Sequence, residues 1–428
     1  MPYQSISRQR HNYLRRGYIG NRSEFVDPVE SYRKDVHGWA RTAKTRMHDH
    51  CQSLLDVVAN PSMLARAIDD IGRKKILGNE GPAGLPDWYP WPWLRELQTR
   101  VLNGRFRSGK YQTYKHPKIG KEGFRTIEIP DTESRILARS LCNVLTPILD
   151  PDFDPLSFGF RPGRSPVHCL AAADRLIRQG QQHIVSCDIR DAFGTIPRQR
   201  LLDVLRKRLH KSPVISLIEE LLIKKRKKGI PQGLAISPIC LNAYTDHMLD
   251  KWWAKHFPDN RLVRYADDIA VFCESQTAAL DCYEALRNRI QAVGMQIKES
   301  PDEAIRDLSS GEWADWLGFR VTSKNDKLKP TIGEAGWARL EACLMQVKTE
   351  RDNGDLVTDD DLATVGCQWL TQKAVGVRQA QVPAVAEHIR SLADQCGLTM
   401  SGFTDEDALD SWRSGRRVAK RVWSEVQL

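Results

Sequence analysis

Two adjacent carboxylates, Asp267 and Asp268, close the stretch Arg264-Tyr265-Ala266-Asp267-Asp268, which lies between Leu262-Val263 and Ile269-Ala270-Val271-Phe272. Apolar, β-prone runs on either side of a short tip predict a tight hairpin with the acids at its turn. Ordinary turns also carry Asp-Asp pairs. A third acid, Asp188, ends a second strand-like run, Ile184-Val185-Ser186-Cys187-Asp188-Ile189, and neighbouring antiparallel strands could bring it beside Asp267. Carboxylates gathered in this way suit phosphoryl transfer onto a hydroxyl, in which two divalent ions about 4 Å apart activate the attacking oxygen and steady the leaving group. Magnesium, with manganese as a substitute, is the expected metal, because hard ions take few carboxylates and keep water and substrate phosphates as their other ligands. Alternation along the strand sends Asp268 to the other side of the pleat, which makes it the weaker ligand. Taken by itself, Asp188 reads equally well as a strand-end or capping acid.

The chain that must position these acids has 428 residues, enough for a substantial core divided into two or three lobes. Lys and Arg number 64 against 54 Asp and Glu, a formal net charge of +10. This balance favours a polyanionic partner, with nucleic acid the leading candidate. The ten cysteines are scattered, with no CxxC and no His pair at zinc spacing, and read as reduced, mostly buried thiols of a cytoplasmic protein. No run approaches the roughly 20 apolar residues of a membrane span, and the N-terminus lacks the apolar core of a signal peptide. The expected protein is soluble and has no membrane partner.

Periodicity predicts helices in pieces over the first 80 residues, after a basic opening with Arg8, Arg10, Arg15 and Arg16. Asn79 to Gly84 is a cluster of breakers. A short helix over Trp93 to Leu102 precedes β character from Tyr111 to Pro130, interrupted by a Gly120 to Gly123 turn and carrying Lys115, Lys118, Lys121 and Arg125. A helical pattern over Thr132 to Leu149 leads to a loop, Ser157 to Ser165, and Ser165-Pro166 suits the start of the next helix. After the Asp188 strand come Asp191-Ala192-Phe193, a helix from Arg198, and the densest basic run, Lys224 to Lys228, which leads into Gly229-Ile230-Pro231-Gln232-Gly233. An apolar helix is predicted from Ser237 to about Trp253, just before the acidic hairpin. A β segment near Trp316 and helices from about Thr331 complete the chain, the last rich in Arg416, Arg417, Lys420 and Arg421. Lys224, Lys225 and Arg226, and Arg416 and Arg417, are expected either to follow a nucleic-acid backbone or to be solvated faces. No internal repeat is present.

In order and spacing these blocks resemble reverse transcriptases, and in particular the group II intron lineage. Tyr265-Ala266-Asp267-Asp268 is similar to the central motif of that family. Asn79 to Gly84 resembles the loop ahead of its fingers, Pro117-Lys118 with Arg125 to Pro130 its basic fingers hairpin, and Phe158 to Ser165 its signature loop. Asp188 to Phe193, Gln232-Gly233 with Ser237-Pro238, and Trp316-Leu317-Gly318-Phe319 complete the set, over residues 75 to 320.

The resemblance implies an α+β right-hand polymerase: a helical N-terminal extension (1–75), fingers (76–180), a palm with an antiparallel sheet (181–325) and a helical thumb (326–428). It implies RNA-directed DNA synthesis from deoxynucleoside triphosphates. Asp188, Asp267 and Asp268, with the backbone of Ile189, become the holders of two magnesium ions. Lys118 and Arg125 become the clamp on the incoming triphosphate. Phe193 becomes the ring beneath the sugar that leaves no room for a 2′-hydroxyl, and Gln232 and Gly233 line the nucleotide pocket. Arg161, Arg164, Trp316 and Gly318 become contacts to template or primer, although the aromatic and Leu residues of Trp316 to Phe319 read equally well as ordinary core. The Lys that in this family often follows the helix after the acidic hairpin has no clean counterpart, since Lys298 does not align, so no general acid is assigned.

Val321-Thr322-Ser323 lacks the Gly of the retron element, Ser237-Pro238 differs from the Ser-Gln of diversity-generating enzymes, and little chain follows a helical thumb. The remaining description resembles stand-alone bacterial reverse transcriptases of antiphage defence, some of which copy a dedicated noncoding RNA. A maturase-like RNA-binding scaffold is the competing reading. The template, the primer and the oligomeric state stay open.

Overall fold

In the computed structural model the described residues are 27–42, 49–72, 91–118, 123–223, 228–353 and 357–428. The basic N-terminal opening, the Asn79 to Gly84 cluster and the site candidates Lys224, Lys225 and Arg226 lie outside them. The chain divides into two compact units, each assembled from separated stretches of sequence.

The first unit comprises residues 1–114, 126–153 and 193–244. Its helices begin where polar caps and prolines place them. Asn60 accepts a hydrogen bond from the Ser62 N–H ahead of helix Pro61–Ile71, with Pro61 in the first turn. Asp131 likewise accepts from the Ser134 N–H at the start of helix Thr132–Leu149. That helix buries Ile136, Leu137, Leu141, Val144 and Leu145 at helical spacing. Helices Pro28–Thr42, Leu54–Ala59 and Pro61–Ile71 pack on it. A buried polar tie joins them where Ser140 Oγ donates to the Val58 carbonyl at 2.7 Å. Strands β1 (Gln112–Pro117) and β2 (Phe124–Ile129), of which residues 115–125 are counted with the second unit, form a two-stranded sheet, as the basic hairpin predicts.

The second unit comprises residues 115–125, 154–192 and 245–428. Its centre is an antiparallel sheet of β3 (His183–Asp188), β4 (Leu262–Tyr265), β5 (Asp268–Cys273) and β6 (Ile305–Asp307), in the order β4-β5-β3-β6. Register pairs Ile184 with Phe272, Ser186 with Ala270 and Asp188 with Asp268. Ile184, Ala270 and Phe272 join Leu170 and Ile177 of helix Pro166–Arg178 in one apolar cluster, and helix Gln276–Ala292 packs on β3, β5 and β6. Buried on both faces, β3 and β5 read as near-continuous apolar runs. A second sheet, β7 (Ala314–Trp316), β8 (Phe319–Ser323) and β9 (Leu328–Ile332), precedes four helices: Glu334–Asp352, Asp359–Lys373, Val382–Gln395 and Asp405–Glu425.

Two departures from the sequence reading matter. The apolar helix expected from Ser237 to Trp253 is α-helical over Ser237–Thr245, widens to a π turn over Asp246–Asp250, then resumes over Lys251–His256. Trp316 and Gly318 belong to the interior instead of a nucleic-acid surface. Trp316 is buried with its ring edge-on to Phe272, and Gly318 has φ +76° in a tight turn beside Leu317 at φ +55°. Lys373 donates to the Gly318 carbonyl at 3.0 Å and lies over the Phe319 ring, and burial pulls its ammonium down to about 7. Among the described residues no helix is long and apolar enough to cross a membrane, and all ten cysteines are free thiols.

Candidate active site

The acidic turn joins β4 to β5 through two residues, Ala266 and Asp267, with Tyr265 paired to Asp268. Ala266 takes φ +63°. Two-residue hairpins need a positive φ at their first central position and prefer Gly there, so an Ala in this place is held by its surroundings. The surroundings include the loop before helix Pro166–Arg178. The Phe158 N–H donates to the Arg264 carbonyl (2.8 Å), and the Arg264 N–H donates to the Leu156 carbonyl (3.0 Å). Next along, Gly159 lies flat on the turn: a Cβ built there would stand 2.1 Å from the Ala266 nitrogen. The Phe158 to Ser165 loop is thus the backing of the acids, and its Gly is required by close approach.

Register places Asp188 directly across from Asp268, at the shared end of β3 and β5. Residues so paired project from the same face of a sheet, so Asp268 stands with Asp188 and not away from it. Asp267 is in the turn, where strand alternation does not govern it. Its carbonyl accepts the Ile189 N–H at 3.0 Å. Its carboxyl is pushed up to about 6, first by burial and then by the negative charge of Asp188, against the opposing pull of Arg125 and Arg264. Asp188 is itself anchored: its N–H donates to Glu299 Oε2 at 2.7 Å, its carbonyl accepts the Lys298 N–H at 3.0 Å, and Lys298 Nζ stands 3.5 Å from its carboxylate. Lys298 and Glu299 are the residues that the sequence reading left without a role. Their signal was present only as position, one strand-length beyond helix Gln276–Ala292, and the bridge pairing Ile189 with Ile297 creates the contact.

Among the described residues no group of three or more His, Cys, Asp or Glu side chains is close enough to hold a metal ion. The donor chemistry nevertheless fits a hard divalent cation. Asp267 holds its proton above the usual carboxylate range because its negative charge is buried beside another, the deficit that a cation relieves. Asp188, Asp267 and Asp268, with the Ile189 backbone, are the residues that would hold it.

In the first unit the structure brings together blocks far apart in sequence. Phe193, half-buried in the short helix Ala192–Thr195, accepts the Ile230 N–H on its carbonyl at 2.7 Å. Gly229, at φ +65°, packs on the same backbone, where a Cβ would stand 2.4 Å from the Gly194 oxygen. Two residues on, the Gln232 carbonyl accepts the Glu128 N–H at 2.9 Å, and Gly233, at φ +124°, leaves only 3.0 Å to Glu128 O and Ile127 Cγ2 for any Cβ. Phe193, Gln232, Gly233 and β2 thus share one backbone framework.

The remaining candidates separate by exposure. Lys118 and Arg125 are exposed on the hairpin, where the Lys118 N–H donates to the Gly123 carbonyl. Arg164 is exposed beside the Phe158 ring. Arg416 and Arg417 lie on the exposed side of helix Asp405–Glu425, whose other side buries Ala408, Ser411, Gly415, Ala419 and Val422. Arg161, expected to contact nucleic acid, is buried, and its Nη1 donates to the Asp154 and Ser157 carbonyls at 2.8 and 2.7 Å. Its fork is a strut of the loop that backs the acids.

Residues 115–320 match the family described as reverse transcriptase (RNA-dependent DNA polymerase). Protein YkfC of Escherichia coli is 25% identical over 352 residues, covering 70% of this chain and 90% of that protein. The group II intron-encoded protein LtrA of Lactococcus lactis is 28% identical over 146 residues, covering 32% of this chain and 24% of that protein. Telomerase from Candida albicans, solved with a fragment of telomeric RNA, has a TM-score of 0.41 at 12% identity, over 79% of this chain and 69% of that one. With its acids on paired strands of an antiparallel sheet and group II intron-encoded proteins among its relatives, the chain carries a reverse transcriptase domain and is an enzyme of the RNA-directed DNA polymerase class.

Proposed function

We propose that the protein copies an RNA template, a dedicated noncoding RNA, into DNA in bacterial antiphage defence, as a cytoplasmic enzyme with fingers at 76–180, palm at 181–325 and thumb at 326–428. The observation that supports polymerisation best is the pairing of Asp188 with Asp268 at the strand end where Asp267 turns. Two divalent ions bound there would supply charge for a primer hydroxyl and for the departing pyrophosphate. The chain's own residues do the rest. Asp188 and Asp267 orient and neutralise, and Lys298, 3.5 Å from Asp188, places an ammonium beside them. Lys118 and Arg125 offer positive charge to the triphosphate, whose negative charge grows in the transition state. The deciding measurement is primer extension on RNA with magnesium, comparing the parent with a variant carrying Asp267→Ala and Asp268→Ala. Deoxynucleotide incorporation by the parent alone is expected, and equal incorporation by both would leave the RNA-binding scaffold as the better reading.

Phe193 carries the preference for deoxynucleotides in this proposal. Its backbone is fixed by Ile230 and Gly229, so truncation opens space without moving the chain. Phe193→Ala is expected to raise ribonucleotide incorporation relative to deoxynucleotide by about 10²-fold, a selectivity of the size that steric exclusion from a pocket supplies. The ratio of the two kcat/KM values measures it, and an unchanged ratio would remove the ring from sugar selection. Sequencing of RNA that copurifies from the native locus addresses the template: one enriched noncoding RNA supports the defence proposal, and its absence counts against it.

A further inference from the structure

Arg264 is fully buried, one of the largest side chains without solvent contact. A guanidinium in that position is tolerated only when its donors are met, since an unpaired buried charge is strongly destabilising. Its partners come from three separate places. Nε donates to both carboxylate oxygens of Asp250, at 2.9 and 3.0 Å, and Nη2 adds a bond of 2.5 Å to Asp250 Oδ2. Nη2 also donates to Ser157 Oγ at 2.7 Å, and Nη1 donates to the Ala266 carbonyl at 2.9 Å. Asp250 is offered by the last residue of the π turn, Ser157 by the loop that backs the acids, and Ala266 by the acidic turn itself.

The Ala266 carbonyl and the Asp267 N–H belong to one planar peptide unit. The bond from Arg264 therefore sets the tilt of the plane from which Asp267 departs. The following plane is fixed from the other side, where the Asp267 carbonyl accepts the Ile189 N–H. Rotation of the 266–267 peptide would change ψ of Ala266 and φ of Asp267, and so swing Asp267, while leaving the φ of +63° at Ala266 as it is. Arg264 opposes that motion, and Asp250 and Ser157 hold Arg264. Asp154 and Asp246 add negative charge around the guanidinium, with Lys251 3.1 Å from Asp246.

We propose that Arg264 is the positioning residue of the acidic turn: through the Ala266 carbonyl it sets the direction in which Asp267 presents its carboxylate to a divalent cation. The proposal rests on the polymerase reading for its effect on turnover, but not for its effect on ion binding. Its test is the affinity of the metal-free protein for Mn2+, read by the electron paramagnetic resonance of the free ion, beside the Mg2+ dependence of primer extension. Arg264→Lys keeps the charge but loses the fork, and is expected to weaken Mn2+ binding and raise the half-saturating Mg2+ about tenfold, as loss of an outer-shell partner does. Ser157→Ala removes one bond and is expected to shift both about threefold, the size of one ordinary hydrogen bond, with Ser157→Thr restoring the parent values. Should Arg264→Lys fail to fold, the Ser157 pair decides. Folded variants with the parent's Mn2+ affinity and Mg2+ midpoint would overturn the proposal. A parent that makes no DNA while the variants still shift Mn2+ binding would refute the polymerase reading and leave the positioning role standing.

Discussion

Asp267→Asn is expected to lower primer extension by about 10³-fold or more and, in the same protein, to raise the melting temperature of the metal-free form at pH 8. The first effect follows from the proposed role of Asp267 as a charged ligand at the reacting centre, where single electrostatic contacts are worth about 10²–10³-fold. The second follows from where that charge sits. An Asp in the unfolded chain titrates near 3.9, while in the fold burial and Asp188 push Asp267 up to about 6. The folded state therefore binds this proton more tightly. Its contribution to stability is complete below the unfolded value and is lost as pH rises through 6. At pH 8 the ionised carboxylate costs the apo fold on the order of 3 kcal/mol, and the neutral amide removes that cost. Calorimetry of the metal-free proteins should show the variant melting a few degrees higher at pH 8 and no higher at pH 4. Adding Mg2+ should favour the parent alone, by mass action on the native state. A difference in melting that does not change with pH would contradict a buried, repelled carboxylate. On the proposed reading, the acid placed at the reacting centre is one that the fold tolerates at a loss.

Gly159→Ala has the second largest expected effect. A Cβ at this position would stand 2.1 Å from the Ala266 nitrogen and 2.8 Å from both Ala266 Cα and the Tyr265 carbonyl carbon. All three are backbone atoms, so no side chain can swing aside, and the loop or the turn must move by about 1 Å. Displacements of that size near a reacting centre cost about 10²-fold in turnover. The expected result is a kcat reduced by about 10²-fold in a folded protein destabilised by about 1–3 kcal/mol. Gly163→Ala is the control. It lies four residues on in the same loop with φ +71° and nothing within 4 Å of a new Cβ, so it should carry the backbone strain with turnover near the parent's. Equal losses in the two variants would show that the loop matters only for folding.

The acids were legible because β3, β4 and β5 write themselves as short apolar runs with a polar turn between two of them, and the pleat converts that pattern into a register. The helix start at Ser165-Pro166 was legible for the same kind of reason, since it is capped by local chemistry. What could not be read was long-range pairing. Arg161 and Arg264 are both arginines near a motif; one was read as a nucleic-acid contact and the other given no role, yet both are buried on carbonyls or carboxylates supplied from elsewhere. Asp250 reads in sequence as one more residue of a helix, whereas it ends a π turn and accepts from Arg264. Trp316 was read as a nucleic-acid contact because aromatic side chains serve cores and nucleic-acid surfaces equally well. Spacing gives Lys298 no role, because its contact with Asp188 depends on a bridge between Ile189 and Ile297.

The strand order β4-β5-β3-β6 also has a consequence for biogenesis. β3 is made first and lies inside the sheet, yet both strands that flank it, β5 and β6, are made later, the second ending at Asp307. During synthesis Asp188 therefore emerges on an apolar strand with two unsatisfied edges, and remains so until residues on both sides of helix Gln276–Ala292 have left the ribosome. Contacts of such sequence separation form slowly and expose edges that aggregate. The nascent enzyme passes through a long window in which its central strand must be shielded before the acids can meet.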